Sequence, residues 1–301
     1  MTELPRLPAE SIEAVRNICD PCSVQISIDK DGLFAHHSTG LLFAVGDHHF
    51  IATCRHSVHG VVAGNAGLWV GNDSTGKLDP LDVKFLYLKP DLWDLAIAKL
   101  PDRFAPCFSK HRFARASDTI SSRQPTGISC AMYGALSSAS GTWDSNVSSD
   151  DELIKMCAYI GRTTTVDRES EYIDDAIHFL SDADNFEWSR ETNDGKSKLI
   201  SPEQSIKGLS GAPVFAVNDN PFEPNWIAHD YRIIGIQSAL ITLRPTTCNP
   251  TRRAVLRIVR IEVLFALIRE LFPSVRELLD KLDGIEAIIM PNRSKIVIPG
   301  A

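Results

Sequence analysis

From Ser23 onward, apolar residues recur at every second position in short runs cut off by turn-forming residues, and this pattern most narrows the possible folds. Val24, Ile26 and Ile28 alternate with Ser23, Gln25, Ser27 and Asp29, the mark of a half-buried strand. Leu41 to Val45 and Phe50 to Thr53 are two more, joined by a hairpin turn at Gly46-Asp47-His48-His49. Val83 to Leu88, Leu95 to Leu100, Ile128 to Tyr133, Pro213 to Val217 and Ile233 to Ile241 continue the series. Many short, punctuated strands argue for an all-β barrel or sandwich rather than alternating β and α units. Helical spacing is confined to the two ends. Ile12, Val15 and Ile18 line one face of a short helix with Ser11 as its N-cap, which Pro21 stops. Val259, Val263, Leu264, Leu267, Ile268 and Leu271 predict a second helix closed by Pro273, and Ser274 to Leu282 a third that Gly284 ends. Ile285 to Met290 and Ile296 to Ile298 supply material for a further strand.

A chain of 301 residues buries a full core without staples, and its 44% hydrophobic and 23% charged content is ordinary for a globular protein. The net charge of −7 argues against a nucleic-acid partner, since phosphate contacts need a basic surface. Charge is uneven: the β-poor connector around 101–125 is basic, whereas 144–194 carries a local balance of −10. Both read as solvated loops, the acidic one lying within a long polar stretch, Ser137 to Lys198, that decorates the second half. The first ten residues hold Glu3, Pro5, Pro8 and Glu10 with no apolar core of a signal, and no run approaches the ~20 apolar residues of a membrane span. A cytoplasmic location with reduced thiols is therefore expected, in keeping with seven scattered cysteines. Cys19-Asp20-Pro21-Cys22 is a lone C-x-x-C without the second pair that a structural zinc site needs, so no metal or other cofactor is expected.

Three local patterns carry chemistry. Phe50-Ile51-Ala52-Thr53-Cys54-Arg55-His56 delivers a histidine from a buried strand onto a tight turn, Arg55 to Gly60. Asp94-Leu95-Ala96-Ile97-Ala98 puts an acid before an alternating strand, a better placement than the rival Asp91. Gly208-Leu209-Ser210-Gly211-Ala212-Pro213-Val214 flanks a serine with small residues and runs straight into a strand. A serine hydroxyl needs a base to take its proton as it attacks, and histidine titrates near neutrality. A buried aspartate fixes the imidazole tautomer, and glycines let backbone N–H groups turn toward a developing oxyanion, about 3–4 kcal/mol per donor.

These residues resemble the trypsin/chymotrypsin-like serine peptidases, nearest to their bacterial and viral members. The patterns are similar to that family's Thr-Ala-x-His, Asp-φ-Ala and Gly-x-Ser-Gly-x-Pro boxes, in the same chain order. Ile128 to Tyr133-Gly134 resembles an opening strand of the second barrel, and Ile233 to Ser238 the substrate-lining strand after the serine. The resemblance implies two six-stranded antiparallel β-barrels, with a short N-terminal helix and C-terminal helices. It divides the chain into an extension (1–22), a peptidase domain (23–272) and a C-terminal extension (273–301). Within the domain it puts a first barrel over 23–100, a second over 126–245 and a closing helix over 257–271. It further implies a catalytic triad of His56, Asp94 and Ser210, and an oxyanion hole from the N–H groups of Gly208 and Ser210. The pocket would be formed by Gln204, Ser238 and Leu240; its neutral floor and bulky wall disfavour Lys or Arg substrates. Partners would be a protein or peptide substrate and a regulatory protein, with neither nucleic acid nor membrane. Three departures stand out, the first being Thr53-Cys54-Arg55-His56 in place of Thr-Ala-Ala-His, which puts an arginine beside the base. Leu209 replaces the acid that receives a freed N-terminus in digestive members, and Ser57 stands where secreted members have a disulfide cysteine.

Other chemistries fit less well. An α/β-hydrolase esterase would want glycine at position 212, where Ala212 stands, and its acid and base after the serine; Asp219 and His229 do follow, but alternating helices do not. A protease-fold binding module without turnover is the third reading. His36, His37, His48 and His49 fall in turn-like places, and His59 lacks the i, i+4 spacing to pair with His56 on a metal.

Overall fold

Pairing of the strands separates the chain into two antiparallel sheets. A computed structural model describes residues 9–30, 32–63, 67–88, 93–119, 127–136, 142–144, 156–164, 173–175, 177–183, 188–191, 197–199, 207–217, 231–243, 253–281 and 296–297. Helix α1 (Ala9–Cys19) buries Ile12, Val15 and Ile18, the stripe its spacing predicts, and gives way to a 3₁₀ turn with Pro21 in its first positions.

The first sheet contains β1 (Ser23–Lys30), β2 (Leu33–Val45), β3 (His48–Cys54), β4 (Leu68–Asn72), β5 (Lys77–Pro80) and β7 (Leu95–Lys99), in the order β5-β4-β1-β2-β3-β7. Helix α2 (Arg55–Ala63) follows β3, and the two-residue β6 (Tyr87–Leu88) precedes β7. β6 pairs with Ile296–Val297, and Thr142–Asp144 (β9) adds to the start of β2. The second sheet contains β8 (Ser129–Ala135), β10 (Met156–Thr164), β11 (His178–Asp182), β12 (Trp188–Glu191), β13 (Ser197–Leu199), β14 (Pro213–Ala216), β15 (Arg232–Leu243) and β16 (Arg253–Arg260). Six of these close on themselves as β8-β10-β11-β16-β15-β14, a barrel from which β12 and β13 extend. The ladder of the first sheet does not close among the described residues, so the expected pair of barrels is one closed barrel and one open six-stranded sheet.

Three layers of core explain where the period of two fails. Leu41, Phe43, Phe50 and Ala52 meet Tyr133, Ile160, Phe215 and Val259 in a cluster shared by both sheets. Leu42, Ile51 and Ala96 belong to a second cluster that joins the first sheet to Val58 of α2 and to Phe104 and Phe108, and Met132, Tyr159, Val214 and Leu256 to a third within the barrel. Strands such as β3 and β10 are therefore buried on both faces, which makes them continuous apolar runs rather than alternating ones. This corrects several expectations. Ser137 to Lys198 is not only loops, because it supplies β9 to β13. Val259 lies on β16 opposite Ile236, and helix α3 begins only at Ile261, ending at Leu271. The turn between β2 and β3 is just Gly46-Asp47, with Gly46 at the positive φ (57°) such a turn needs, so His48 and His49 sit on β3. His36 and His37 lie on β2, not in a turn, and His56 lies in the first turn of α2 rather than on a tight turn. The C-terminal helix α4 is a short Arg276–Asp280, while residues 285–290 lie outside the described set.

Cys19, Cys22, Cys54, Cys107 and Cys130 are free and buried, and the side chains of Cys157 and Cys248 lie outside the described set. Thiol titration of freshly purified protein under denaturing, non-reducing conditions is expected to find all seven of the chain's cysteines. Two missing thiols would contradict a reduced chain.

Candidate active site

Three elements converge on one hydrogen-bonded line. β3 runs buried to Cys54, and His56 follows as the second residue of α2, its side chain half exposed. Asp94, immediately before β7, is buried and takes a left-handed backbone (φ 39°), the one non-glycine residue to do so among those described. Aspartate tolerates that conformation better than most residues, and it brings both carbonyl and carboxylate onto the start of α2. The Arg55 N–H donates to the Asp94 carbonyl (3.0 Å), and the His56 N–H to Asp94 Oδ1 (3.1 Å). His56 Nδ1 lies 2.9 Å from Asp94 Oδ2 and 3.0 Å from Oδ1. A carboxylate only accepts, so this nitrogen carries a proton, and in the neutral imidazole Nε2 is the acceptor. Nε2 faces Ser210 Oγ at 3.1 Å. His56, Asp94 and Ser210, 154 residues apart at the extremes, are thus brought together; Asp91 lies outside the described residues.

The serine turn is pinned from both sheets. Thr39 on β2 donates its N–H to the Ser210 carbonyl (3.0 Å), and Gly211 donates to the Gln237 carbonyl on β15 (2.9 Å). The Gly208 carbonyl accepts from His36 Nε2 (3.2 Å) and Thr39 Oγ1 (2.9 Å), and the Leu209 carbonyl from Ala212 (2.8 Å). The carbonyls of Gly208, Leu209 and Ser210 are therefore all committed to protein donors. Gly211 has φ 95°, and a Cβ there would sit 1.9 Å from the Thr39 carbonyl, so only glycine lets the turn approach β2 this closely. Leu209, where an acid would receive a freed N-terminus, is fully buried in the barrel cluster instead.

His36 was not a site candidate in the sequence. A bulge between Ile26 and Ser27 of β1 lies opposite His36 to Ser38, and His36 points inward to Gly208 while His37 Nε2 meets the Ser57 carbonyl (2.7 Å). Burial holds the His36 imidazole down at about 4, below the ordinary 6.5, opposed by the Gly208 carbonyl and assisted by His37. Because the folded value is depressed, the unfolded chain takes up this proton first as pH falls. Stability present above pH 6.5 is lost toward pH 4, by about 3 kcal/mol. Urea unfolding of wild type and His36→Gln at about pH 7 and about pH 4.5 isolates this contribution. The wild type should lose more stability than the variant; equal losses would remove His36 from the account.

Other predicted site residues fare differently. Gln204 lies outside the described residues, as do Asp219 and His229. Ser238 is buried, its Oγ accepting from Arg257 Nε (2.8 Å) and donating to the Arg257 carbonyl (3.2 Å), so its side chain faces Arg257. Leu240 is half buried against the barrel cluster. Arg257 Nη2 also donates to Asp94 Oδ2 (3.1 Å), and its trace in the sequence is a lone arginine within the apolar run Ala254 to Val259. His59 Nδ1 sits 3.1 Å from the Tyr87 hydroxyl, away from any pairing with His56. Cys22 is buried, its Sγ 3.6 Å from the Cys19 carbonyl, and burial pushes its thiol up to about 12, unsuited to redox or metal chemistry.

Among the described residues, one trio has donor atoms close enough to share a cation: Cys54, His56 and Asp94, all within 4.8 Å. Its chemistry does not favour one. Burial, then the nearby Asp94 charge, pushes the Cys54 thiol well up, and its Sγ is spent on the Gln237 carbonyl (3.2 Å). The Asp94 carboxylate already faces the Arg257 guanidinium. The arrangement is equipped instead to move a proton from a hydroxyl to an imidazole. No helix among the described residues is long and apolar enough to cross a membrane.

No protein-family model and no curated protein matches the chain. Among solved structures, the serine protease domain of the Sesbania mosaic virus polyprotein aligns at 14% identity over 80% of this chain and 89% of that one, with a TM-score of 0.38. A scabies mite inactivated protease paralogue aligns at 14% identity over 89% and 95% of the respective chains, with a TM-score of 0.41. Superpositions this loose are likenesses only, and the strand pairing defines the fold by itself.

Proposed function

We propose that the chain is a trypsin-like serine endopeptidase that cleaves peptide bonds through an acyl-enzyme. The observation that carries this reading is the unbroken line Asp94–His56–Ser210, with contacts of 2.9 and 3.1 Å drawn from the first sheet and the barrel. Ser210 Oγ attacks the scissile carbonyl as His56 Nε2 accepts its proton, forming a C–O bond and a tetrahedral oxyanion. Asp94 steadies the imidazolium. The N–H groups of Gly208 and Ser210 stabilise the oxyanion, a role supported by the commitment of the neighbouring carbonyls to other donors. The intermediate collapses as His56 protonates the leaving amine, and water then hydrolyses the ester by the same proton relay.

In this reading the open first sheet and the closed barrel correspond to the two barrels of the family. Leu240 lines the side-chain pocket, and Ser238 contributes backbone. Restraint in a cytoplasmic setting falls to a regulatory protein partner, since Leu209 leaves no acid for N-terminal activation.

A fluorophosphonate probe followed by mass mapping of the adduct tests the assignment. The adduct is expected on Ser210. A folded protein that resists the probe would support a binding module without turnover, and a labelled protein that cleaves esters but no peptide would support an esterase.

A further inference from the structure

Arg257 is the buried charge that the triad does not account for. It lies on β16 beside a bulge in β15: Gln237 pairs with Ile258 and Ala239 with Arg257, which leaves Ser238 as the extra residue. The bulge turns Ser238 Oγ onto Arg257, where it accepts from Nε (2.8 Å) and donates to that residue's own carbonyl (3.2 Å). The backbone contact anchors the hydroxyl, its contact with Nε orients the guanidinium, and Nη2 then reaches out of the barrel to Asp94 Oδ2 (3.1 Å). Both side chains are about nine-tenths buried. Burying an ion pair between two sheets is a costly way to join them, and apolar residues of equal volume would join them at least as well. The pair therefore calls for another reason to exist.

We propose that Arg257 is a positioning residue of the triad: its guanidinium bridges Ser238 and Asp94, fixing the carboxylate against His56 and opposing a second positive charge on the imidazole. This rests on the serine-hydrolase reading above. The carboxylate is gripped at both oxygens, Oδ1 by the His56 N–H (3.1 Å) and Oδ2 by Arg257 (3.1 Å), so it cannot rotate away from Nδ1. A permanent cation on the same carboxylate also competes with an imidazolium at His56 for its field. The other titratable or charged groups around His56 are Cys54 at the end of β3, His37 on β2, and Arg55 and His59 on α2. Arg55 lies over the Tyr87 ring and His59 meets the Tyr87 hydroxyl. Burial and Asp94 push the Cys54 thiol up against the pull of Arg257, so loss of the Arg257 charge leaves that thiol neutral.

The test compares wild type, R257Q and R257K as full chains. The first readout is the low-field NMR signal of the His56 Nδ1–H···Asp94 hydrogen bond followed across pH, which needs no turnover. The second is the rate of Ser210 labelling by a fluorophosphonate. In R257Q the transition in the NMR signal is expected about one unit higher in pH than in wild type, and labelling about ten- to hundred-fold slower. R257K keeps the charge, so its transition stays in place, but one ammonium cannot hold Ser238 and Asp94 in a plane and labelling slows. An R257Q transition that superimposes on wild type, or R257Q labelling at the wild-type rate, overturns the proposal. Should R257Q fail to fold, R257K decides, and a wild-type labelling rate in that variant overturns it. If wild type itself resists the probe, the hydrolase reading falls while the NMR arm still judges Arg257.

Discussion

Ser210→Ala is expected to lower peptide hydrolysis by about 10⁶-fold and to abolish fluorophosphonate labelling. The loss is that large because the hydroxyl forms the covalent bond; what remains is the catalysis that bound substrate and oxyanion donors sustain. Folding should survive. Ser210 Oγ is partly exposed and faces His56, whereas the turn is held through backbone groups, Thr39 N–H on the Ser210 carbonyl and Gly211 N–H on Gln237. Denaturant midpoints of the two proteins should therefore coincide within the ~0.5 kcal/mol typical of substitutions away from the core. His56→Ala should cost about as much, and the double variant no more, since serine and histidine act as one unit. Hydrolysis within about ten-fold of wild type in the alanine variant would show that another group is the nucleophile.

The parts of this site that were legible in the sequence are those where a local pattern ends abruptly. Phe50 to Thr53 announces a buried strand, so the polar residues after it, Arg55 and His56, had to stand at its mouth. Asp94 abuts Leu95 to Lys99 in the same way, and glycines mark the turn at Ser210. Such signals are local and survive without knowledge of the fold. What was not legible depends on both faces of a strand being covered. Ala158, Tyr159 and Ile160 are all buried, two toward the shared core and one inside the barrel, so β10 presents no period of two within an acidic stretch that reads as loop. Val259 fits a helical period with Val263 only because β16 is apolar on both sides. α2 is short and carries His56, Ser57, His59 and Gly60, weak helix formers, and so reads as a turn. His36, Thr39 and Arg257 escaped for a different reason. Each acts on a residue 163 or more positions away, and no spacing along the chain encodes that.

Asp94→Asn is expected to cost about 10⁴-fold in hydrolysis at neutral pH, from the exchange of one carboxylate oxygen for an amide nitrogen. An amide offers one acceptor and one donor where the carboxylate offers two acceptors. The amide oxygen would keep the His56 N–H, since asparagine tolerates the left-handed backbone at this position (φ 39°) as well as aspartate does. The amide NH₂ would then occupy the place of Oδ2, where it meets two donors at once, His56 Nδ1–H and Arg257 Nη2. The imidazole escapes by shifting its proton to Nε2, so that Nδ1 accepts from the amide. Ser210 then faces an N–H instead of a lone pair, and its proton has nowhere to go. Arg257 loses the Asp94 carboxylate while its charge stays buried, and breaking a buried pair this way costs about 3–5 kcal/mol. The variant is thus expected to lose stability as well as activity, unlike Ser210→Ala. Adding the Arg257→Gln change should recover part of that stability while leaving the activity low, because the buried cation that lost its carboxylate is gone and the wrong tautomer remains. A double variant no more stable than Asp94→Asn would mean that Arg257 does not depend on Asp94 for its charge compensation.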